Sequence, residues 1–404
     1  MFPQLTISGA AYERGRAYGA AAAPLIRHSI ASYARLFAAR RGIDWAASQA
    51  EALRFVSLLA DVAPDLLEEM HGIADGAGYA LGEIIALNAR TELLAGISPG
   101  SYHPDGPAAR ARNRLAGVPE HPPEPGEAEP PPVSVADDGE CTTVAATGAA
   151  TLAGSPFLAQ TWDWQGDQRA ACLLLRVRAP GEPEILTLTE AGMLAKCGLN
   201  GAGVAVALNL LRSRDDGRAV GMPVHVLLRK MLQGHDFATA RAGANLAPAS
   251  ASSCITLASA RGDLVSLEIT PGGVAEVHPQ AGLLAHANHC VHPWAAAGEC
   301  PLEPTSTTRE RLGRAWELLR RGAGRLDVAA FQAILTDHEG APRCICRHPD
   351  PRVPRLDRAE SICALVMDLR AQVMHVAPNV PCMAPFAPVA LQARGAPPSF
   401  PSRQ

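Results

Sequence analysis

Asp137-Asp138-Gly139-Glu140-Cys141-Thr142-Thr143-Val144-Ala145-Ala146 divides two kinds of sequence. Upstream, residues 119–132 are laden with proline. Downstream, alternation of β type begins at once. Such a junction suits a cut more than a continuous element. The expected cut is the peptide bond between Glu140 and Cys141. Cys141 would then be a new N-terminus whose thiol is the nucleophile and whose α-amino group is the base. A thiol attacks only as thiolate, so its proton needs an acceptor close by. A free α-amino group, with a reference pKa of about 7.7–8.0, is such an acceptor near neutral pH.

The flanks support this division. Apolar residues recur at three and four through residues 10–100, the mark of amphipathic helices. The spacing predicts helices over 12–41, 45–59, 64–77 and 81–92, with Pro64 suited to a first turn. Residues 100–136 are rich in Pro, Gly and Glu and lack periodicity, which reads as a flexible cover or an exposed linker. After Cys141, short apolar or alternating runs fall at 141–147, 157–163, 171–177, 183–189, 203–210, 254–260, 264–270 and 273–278. Gly, Pro and Asp separate them, a pattern of antiparallel sheets. Helices are expected at 223–233, 235–242, 307–321 and 326–337, and a last strand pair at 361–368 and 371–376. The chain thus divides into a helical part, 1–99, a Pro-rich tract, 100–140, and a nucleophile-bearing part, 141–404.

Composition bounds the function. Of 404 residues, 48% are apolar and 4% aromatic, so Ala, Leu and Val must fill a sizeable core. With 36 Lys+Arg against 40 Asp+Glu, no basic excess points to nucleic acid. No like-charge block points to a membrane surface, and no apolar window is long enough to span one. The first residues do not read as a secretory signal, so a cytoplasmic location is expected. In such a compartment ten scattered Cys are mostly small buried apolar residues. Two clusters look ligand-like, Cys344/Cys346/His348 and His286/His289/Cys290/His292. Neither has a usual zinc spacing, so no metal is expected. No phosphate-binding or dinucleotide fingerprint appears, and no cofactor is expected.

Several polar residues can serve a nucleophile at Cys141. Gln160-Thr161-Trp162-Asp163-Trp164 lies one hairpin downstream, which puts Asp163 beside the Cys141 backbone; the plain alternative is a turn with a capping Asp. Asn200-Gly201 is a hairpin-turn signal and reads as structural. Asn209 and Asn288 end apolar runs. An Asn amide at a strand end suits an oxyanion donor, an interaction worth roughly 2.7–4 kcal/mol when well aimed; an ordinary turn or cap is the other reading.

Taken together, the motifs resemble the acyl-coenzyme A:6-aminopenicillanic acid acyltransferase family, autoproteolytic cysteine enzymes of the N-terminal-nucleophile hydrolases, and more distantly penicillin V acylase and bile salt hydrolase. The resemblance runs through Leu87-Asn88-Ala89-Arg90-Thr91-Glu92, Asp138-Gly139, Cys141-Thr142-Thr143, Gln160-Thr161-Trp162-Asp163, Gly198-Leu199-Asn200-Gly201-Ala202-Gly203, Ala287-Asn288-His289, and Arg358 before Asp368. It implies an α+β fold, a four-layer αββα sandwich, cleaved into subunits 1–140 and 141–404 that stay associated. It implies Cys141 as nucleophile, Asp163 beside the new amino terminus, Asn288 in the oxyanion hole, Arg358 near the thiolate and Thr143 as a hydroxyl assisting maturation. Asn209, with Trp162 and Gln160, would contact substrate. Glu140 stands where the family pattern often has Gly.

The expected activity is that of an amidohydrolase or N-acyltransferase working through a Cys141 acyl-enzyme. Its partner would be a small acyl amide or thioester, with acyl-coenzyme A admitted as a substrate and a homo-oligomer compatible with the sequence. Two other readings stay open: an uncut, non-catalytic scaffold of this fold, and a conventional cysteine peptidase pairing Cys141 with His286 or His289.

Overall fold

The computed structural model describes residues 1–97 and 141–391. The 100–140 tract, Glu140 and the expected scissile bond lie outside the described residues. A strand, β1 (Gln4–Ser8), precedes six helices: α1 (Ala11–Arg41), α2 (Trp45–Leu53), α3 (Val56–Val62), α4 (Pro64–Ala77), α5 (Leu81–Asn88) and α6 (Arg90–Ala95). From Cys141 onward come β2 (Cys141–Ala146), β3 (Phe157–Gln165), β4 (Cys172–Arg178), β5 (Ile185–Glu190), β6 (Cys197–Asn200) and β7 (Val204–Leu210). Helices α7 (Val224–Leu232) and α8 (Phe237–Gly243) lead to β8 (Ser253–Ser259), β9 (Leu264–Thr270), β10 (Gly273–Val277) and β11 (Leu283–His286). Then follow α9 (Pro293–Gly298), α10 (Thr308–Gly322), α11 (Val328–Leu335), β12 (Ala359–Asp368), β13 (Val373–Ala377) and β14 (Ala387–Ala390).

The strands make two sheets, one ordered β1-β4-β5-β6-β7-β8-β9-β10 and the other β11-β2-β3-β12-β13-β14. Strand alternation builds the sandwich around the second sheet. Cys141, Ala145, Leu158 and Trp162 face the first sheet within the main core. Val144, Ala146, Phe157 and Ala159 face outward into a separate cluster with Leu319 of α10 and Phe331 of α11. On the far side, α1 reaches the first sheet through Tyr18, whose hydroxyl donates to the Met193 carbonyl, and Ser29, which donates to that of Ala191. The result is the helix–sheet–sheet–helix layering the sequence led us to expect.

Helices α1 and α4 cross closely because glycines line the contact. A Cβ at Gly15 would meet the Glu69 carbonyl oxygen at 2.0 Å, and one at Gly72 that of Tyr12 at 2.1 Å. The crossing brings Arg14 to Glu69 at 2.6 Å, where Arg229 of α7 adds a second guanidinium at 2.9 Å.

Some expected boundaries shift. The 45–59 helix breaks around Arg54 and Phe55, and the 81–92 helix breaks at Ala89. At the second break the Asn88 amide donates to the Ile84 carbonyl four residues back and to that of Gly192, bending the chain there. The break turns Arg90 into the core. Strand β1 was not expected, and it pairs in parallel with β4, so residues 1–99 are not wholly helical. Asn200 is structural as read: its amide donates to the Leu232 and Gly234 carbonyls, and its oxygen takes the Ala202 and Val204 N–H groups.

Candidate active site

Cys141 is the first residue of β2, an interior strand of the second sheet. On one side it lies opposite Trp162 of β3. On the other side β11 pairs only as far as His286, opposite Thr143. Continuing that register would set Asn288 level with Cys141. The ladder stops, and a side chain replaces it: the Cys141 N–H donates to Asn288 Oδ1 at 2.7 Å. Asn288 Nδ2 in turn donates to the Leu210 carbonyl at 3.1 Å.

The Cys141 carbonyl is held from both layers. Asn209 Nδ2, from β7 of the facing sheet, donates to it at 2.9 Å. Arg311 Nη1, from α10 in the outer layer, does so at 2.9 Å and also reaches Thr142 Oγ1 at 2.8 Å. Arg311 Nη2 donates to Asn288 Oδ1 at 3.1 Å. The amide orientation of Asn288 therefore follows from chemistry, since two donors converge on its oxygen. Behind Asn209, Thr143 Oγ1 donates to Asn209 Oδ1 at 2.7 Å and receives Gln160 Nε2 at 3.0 Å.

Burial pushes the Cys141 thiol above its ordinary range. Lys196 and Arg311 pull the other way, as does the Asp163 backbone N–H directed at the sulfur, while the Asp163 carboxylate adds to the rise. The thiol therefore rests protonated and needs a base to react. Lys196 Nζ stands 3.9 Å from the centre of the Trp162 ring, a cation–π contact in a buried setting. Burial, chiefly, lowers its own pKa. Asp163 is buried and accepts the Ser361 hydroxyl at 2.6 Å.

A cavity opens beside this cluster, lined among others by Arg90, Leu94, Trp164, Leu210, Leu211 and Asp216. Trp164 lies two residues from Trp162 on the same strand, and Leu210 is the residue after Asn209. The Arg90 guanidinium is fully buried, 4.4 Å over the Trp164 ring and 3.3 Å from Glu190.

Cys141, Thr143, Asp163, Asn209 and Asn288, all singled out in the sequence, come together here. Two expectations need correcting. Arg358 turns back on its own loop, donating to the Pro351 and Val353 carbonyls, and the guanidinium hydrogen-bonded to Cys141 is that of Arg311. Gln160 has both ends of its amide engaged inside the sandwich. Nε2 reaches Thr143 and the Leu208 carbonyl, and Oε1 takes the Cys197 thiol, so it ties the sheets together rather than facing substrate. Trp162 is 1% exposed, under Lys196.

Neither histidine weighed as a partner for the thiol is hydrogen-bonded to it among the described residues. His286 is bonded to Glu268 at 2.8 Å and to the Ala287 carbonyl at 2.9 Å. Burial opposes its charge, but Cys254 and Glu268 outweigh it and raise the pKa to about 10. His289 is bonded to Thr308.

Arg311 and Lys196 were missed. Arg311 had a signal: Thr308, Arg311, Ala315 and Leu319 form the buried stripe of α10, and an arginine on that stripe needs a buried partner. Lys196 is a lone charge among apolar residues, Met193-Leu194-Ala195 and Cys197.

Comparison with known proteins places the chain in a family. Residues 151–378 match the family model described as acyl-coenzyme A:6-aminopenicillanic acid acyl-transferase. The 40 kDa form of acyl-coenzyme A:6-aminopenicillanic-acid-acyltransferase from Emericella nidulans is 29% identical over 286 residues, covering 70% of this chain and 67% of that protein. Solved structures that resemble the chain include an N-acylethanolamine-hydrolyzing acid amidase ortholog from Caenorhabditis elegans, 14% identical with a TM-score of 0.40, covering 57% of this chain and 93% of that one. Penicillin V acylase from Agrobacterium tumefaciens is 13% identical with a TM-score of 0.35, covering 60% of this chain and 76% of that one. The family model spans more than half of the sequence, and the chain belongs to the acyl-coenzyme A:6-aminopenicillanic acid acyl-transferase family, as an enzyme of the N-acyltransferase or amidohydrolase kind.

Proposed function

We propose that this chain cuts itself before Cys141 and then cleaves or transfers the acyl group of a small amide or thioester through a Cys141 acyl-enzyme. The observation that carries the reading is the convergence of Asn288, Asn209 and Arg311 on the main-chain N–H and carbonyl of Cys141. An ordinary strand residue does not need three side chains to replace its ladder. A residue whose backbone nitrogen must become a free amine in a fixed place does.

In maturation the Cys141 thiol adds to the Glu140 carbonyl carbon. The C–N bond breaks, the nitrogen takes the proton, and a thioester forms. Water hydrolyses it, leaving the Glu140 carboxylate, the Cys141 thiol and a free α-amine. In turnover that amine takes the thiol proton, and the thiolate attacks the substrate carbonyl. The second Nδ2 hydrogen of Asn288 and a backbone N–H receive the oxyanion. The leaving amine or thiol departs with the proton from the Cys141 ammonium. Water or an acceptor amine then resolves the acyl-enzyme, giving hydrolysis or transfer. The cavity under Arg90 and Trp164 would hold a substituent of the substrate.

Intact-mass analysis of the purified protein tests the first step. Fragments 1–140 and 141–404 that co-elute, and a single full-length species for Cys141→Ala, are expected. A single full-length species for both proteins would overturn self-processing. An iodoacetamide probe tests the second step, since it should label Cys141 far faster than the other nine cysteines. Uniform slow labelling would favour a non-catalytic scaffold.

A further inference from the structure

We propose that His338, Cys346, His348 and Cys382 form a structural zinc site, separate from the nucleophile. The ligand atoms of all four lie within 4.8 Å of one another. His338 Nε2 and His348 Nε2 are 3.2 Å apart. Cys382 Sγ is 3.2 Å from His348 Nε2, and Cys346 Sγ is 3.9 Å from it. Tetrahedral zinc with the usual bond lengths separates two imidazole nitrogens by about 3.3 Å and a nitrogen from a sulfur by about 3.6 Å. These three separations lie within about 0.4 Å of those in a zinc coordination sphere.

The donor set fits zinc. Two thiolates neutralise a divalent ion, and two imidazoles complete a closed tetrahedron with no position for substrate. Three of the donors, His338, Cys346 and His348, lie in the one loop between α11 and β12, and Cys382 comes from the turn after β13. That arrangement is why the sequence reading set zinc aside. Cys346 and His348 are separated by one residue, and the fourth ligand arrives only when the β12–β13 hairpin folds.

The site has a place in the architecture. Arg347, between two of the ligands, gives its N–H to Ser361 Oγ at 3.0 Å and takes the Ser361 N–H on its carbonyl at 2.9 Å. Ser361 then donates to Asp163 beside the nucleophile. A metal here would pin the 336–358 loop and, through Ser361, hold Asp163 in position. Cys344 is not a ligand; its thiol is turned to the Cys346 carbonyl at 3.0 Å.

The test is metal analysis of the full chain purified without chelators. About one zinc per chain is expected, with loss of that zinc in the Cys346→Ser/Cys382→Ser double variant and retention in Cys344→Ser. Cobalt exchanged into the wild-type protein should give the intense visible bands of a tetrahedral thiolate site, a readout that does not depend on any variant folding. His338→Ala, which alters an exposed side chain, should weaken zinc retention against a competing chelator while leaving the fold intact. Chelation should lower the melting temperature of the wild type. Absence of zinc together with failure to take it up would overturn the proposal. So would a Cys346–Cys382 disulfide in the protein as purified, or zinc content unchanged by the double substitution.

Discussion

Arg311 donates to the main-chain carbonyl of Cys141 at 2.9 Å, from a helix on the opposite face of the sheet to the Cys141 thiol. The same guanidinium holds the Asn288 amide oxygen. One side chain in the outer layer thus fixes both the backbone of the proposed nucleophile and the amide expected to receive the oxyanion.

Replacing Arg311 tests that link. Arg311→Met keeps the apolar stem but leaves buried acceptors unpaired, so stability should fall by about 1–3 kcal/mol. The rate of acyl transfer should fall by about 10²-fold or more, the scale of losing an aligned oxyanion group. Arg311→Lys should recover only part of either, because an ammonium lacks the two-pronged fork that serves Cys141 and Asn288 together. Chemical denaturation and steady-state kinetics on an acyl amide check both. Kinetics within twofold of wild type for Arg311→Met would contradict the role.

The path from Gln160 through Thr143 and Asn209 to the Cys141 carbonyl should behave as one unit. Thr143→Val and Gln160→Leu each strand buried partners, at a cost of about 1–3 kcal/mol apiece. The double variant should cost less than the two summed, with a coupling of about 0.5–3 kcal/mol. A double-mutant cycle by urea denaturation measures it, and strict additivity would argue against a relay.

Arg90 and Glu190 form a buried ion pair under the cavity, with Tyr33 donating to Glu190 Oε1 at 2.8 Å. Arg90→Met leaves a carboxylate buried, so a loss of about 3–5 kcal/mol is expected. Adding Glu190→Gln should restore much of it. Thermal unfolding of the single and double variants decides this; a double variant no better than Arg90→Met would show that the pairing is not the main term.

Glu92 supplies a pH dependence. Burial, chiefly, raises its pKa to about 7, against the hydrogen bond from the Val224 N–H and the attraction of Arg90. A carboxyl with a raised folded-state pKa binds its proton more tightly in the folded state. Its contribution to stability is therefore fully present below the unfolded value, about 4.3, and is lost as pH rises through about 7. Glu92→Gln keeps the acceptor for Val224 and removes the titration. The variant should gain on wild type between pH 5 and pH 8, by on the order of 2 kcal/mol. Melting temperatures at the two pH values read this out, and an unchanged difference would show that Glu92 does not titrate in the window.

Much of this protein was legible from short-range pattern. The alternation after Cys141 set the β2–β3 hairpin, and hairpin geometry sets Asp163 beside Cys141, because pairing of neighbouring strands is a local matter. Apolar periodicity placed α1, α4, α10 and α11 close to their observed bounds. Asn288 was found as a polar residue ending an apolar run. What escaped was every contact made between layers. Arg311 rather than Arg358 meets Cys141, Gln160 ties the sheets, Lys196 covers Trp162, and Cys382 meets His338, Cys346 and His348 from a second loop. Such contacts depend on how helices cross sheets and which strands stack. Those are settled by packing of the whole core, so a residue's own neighbours in the chain carry no record of its partners in space.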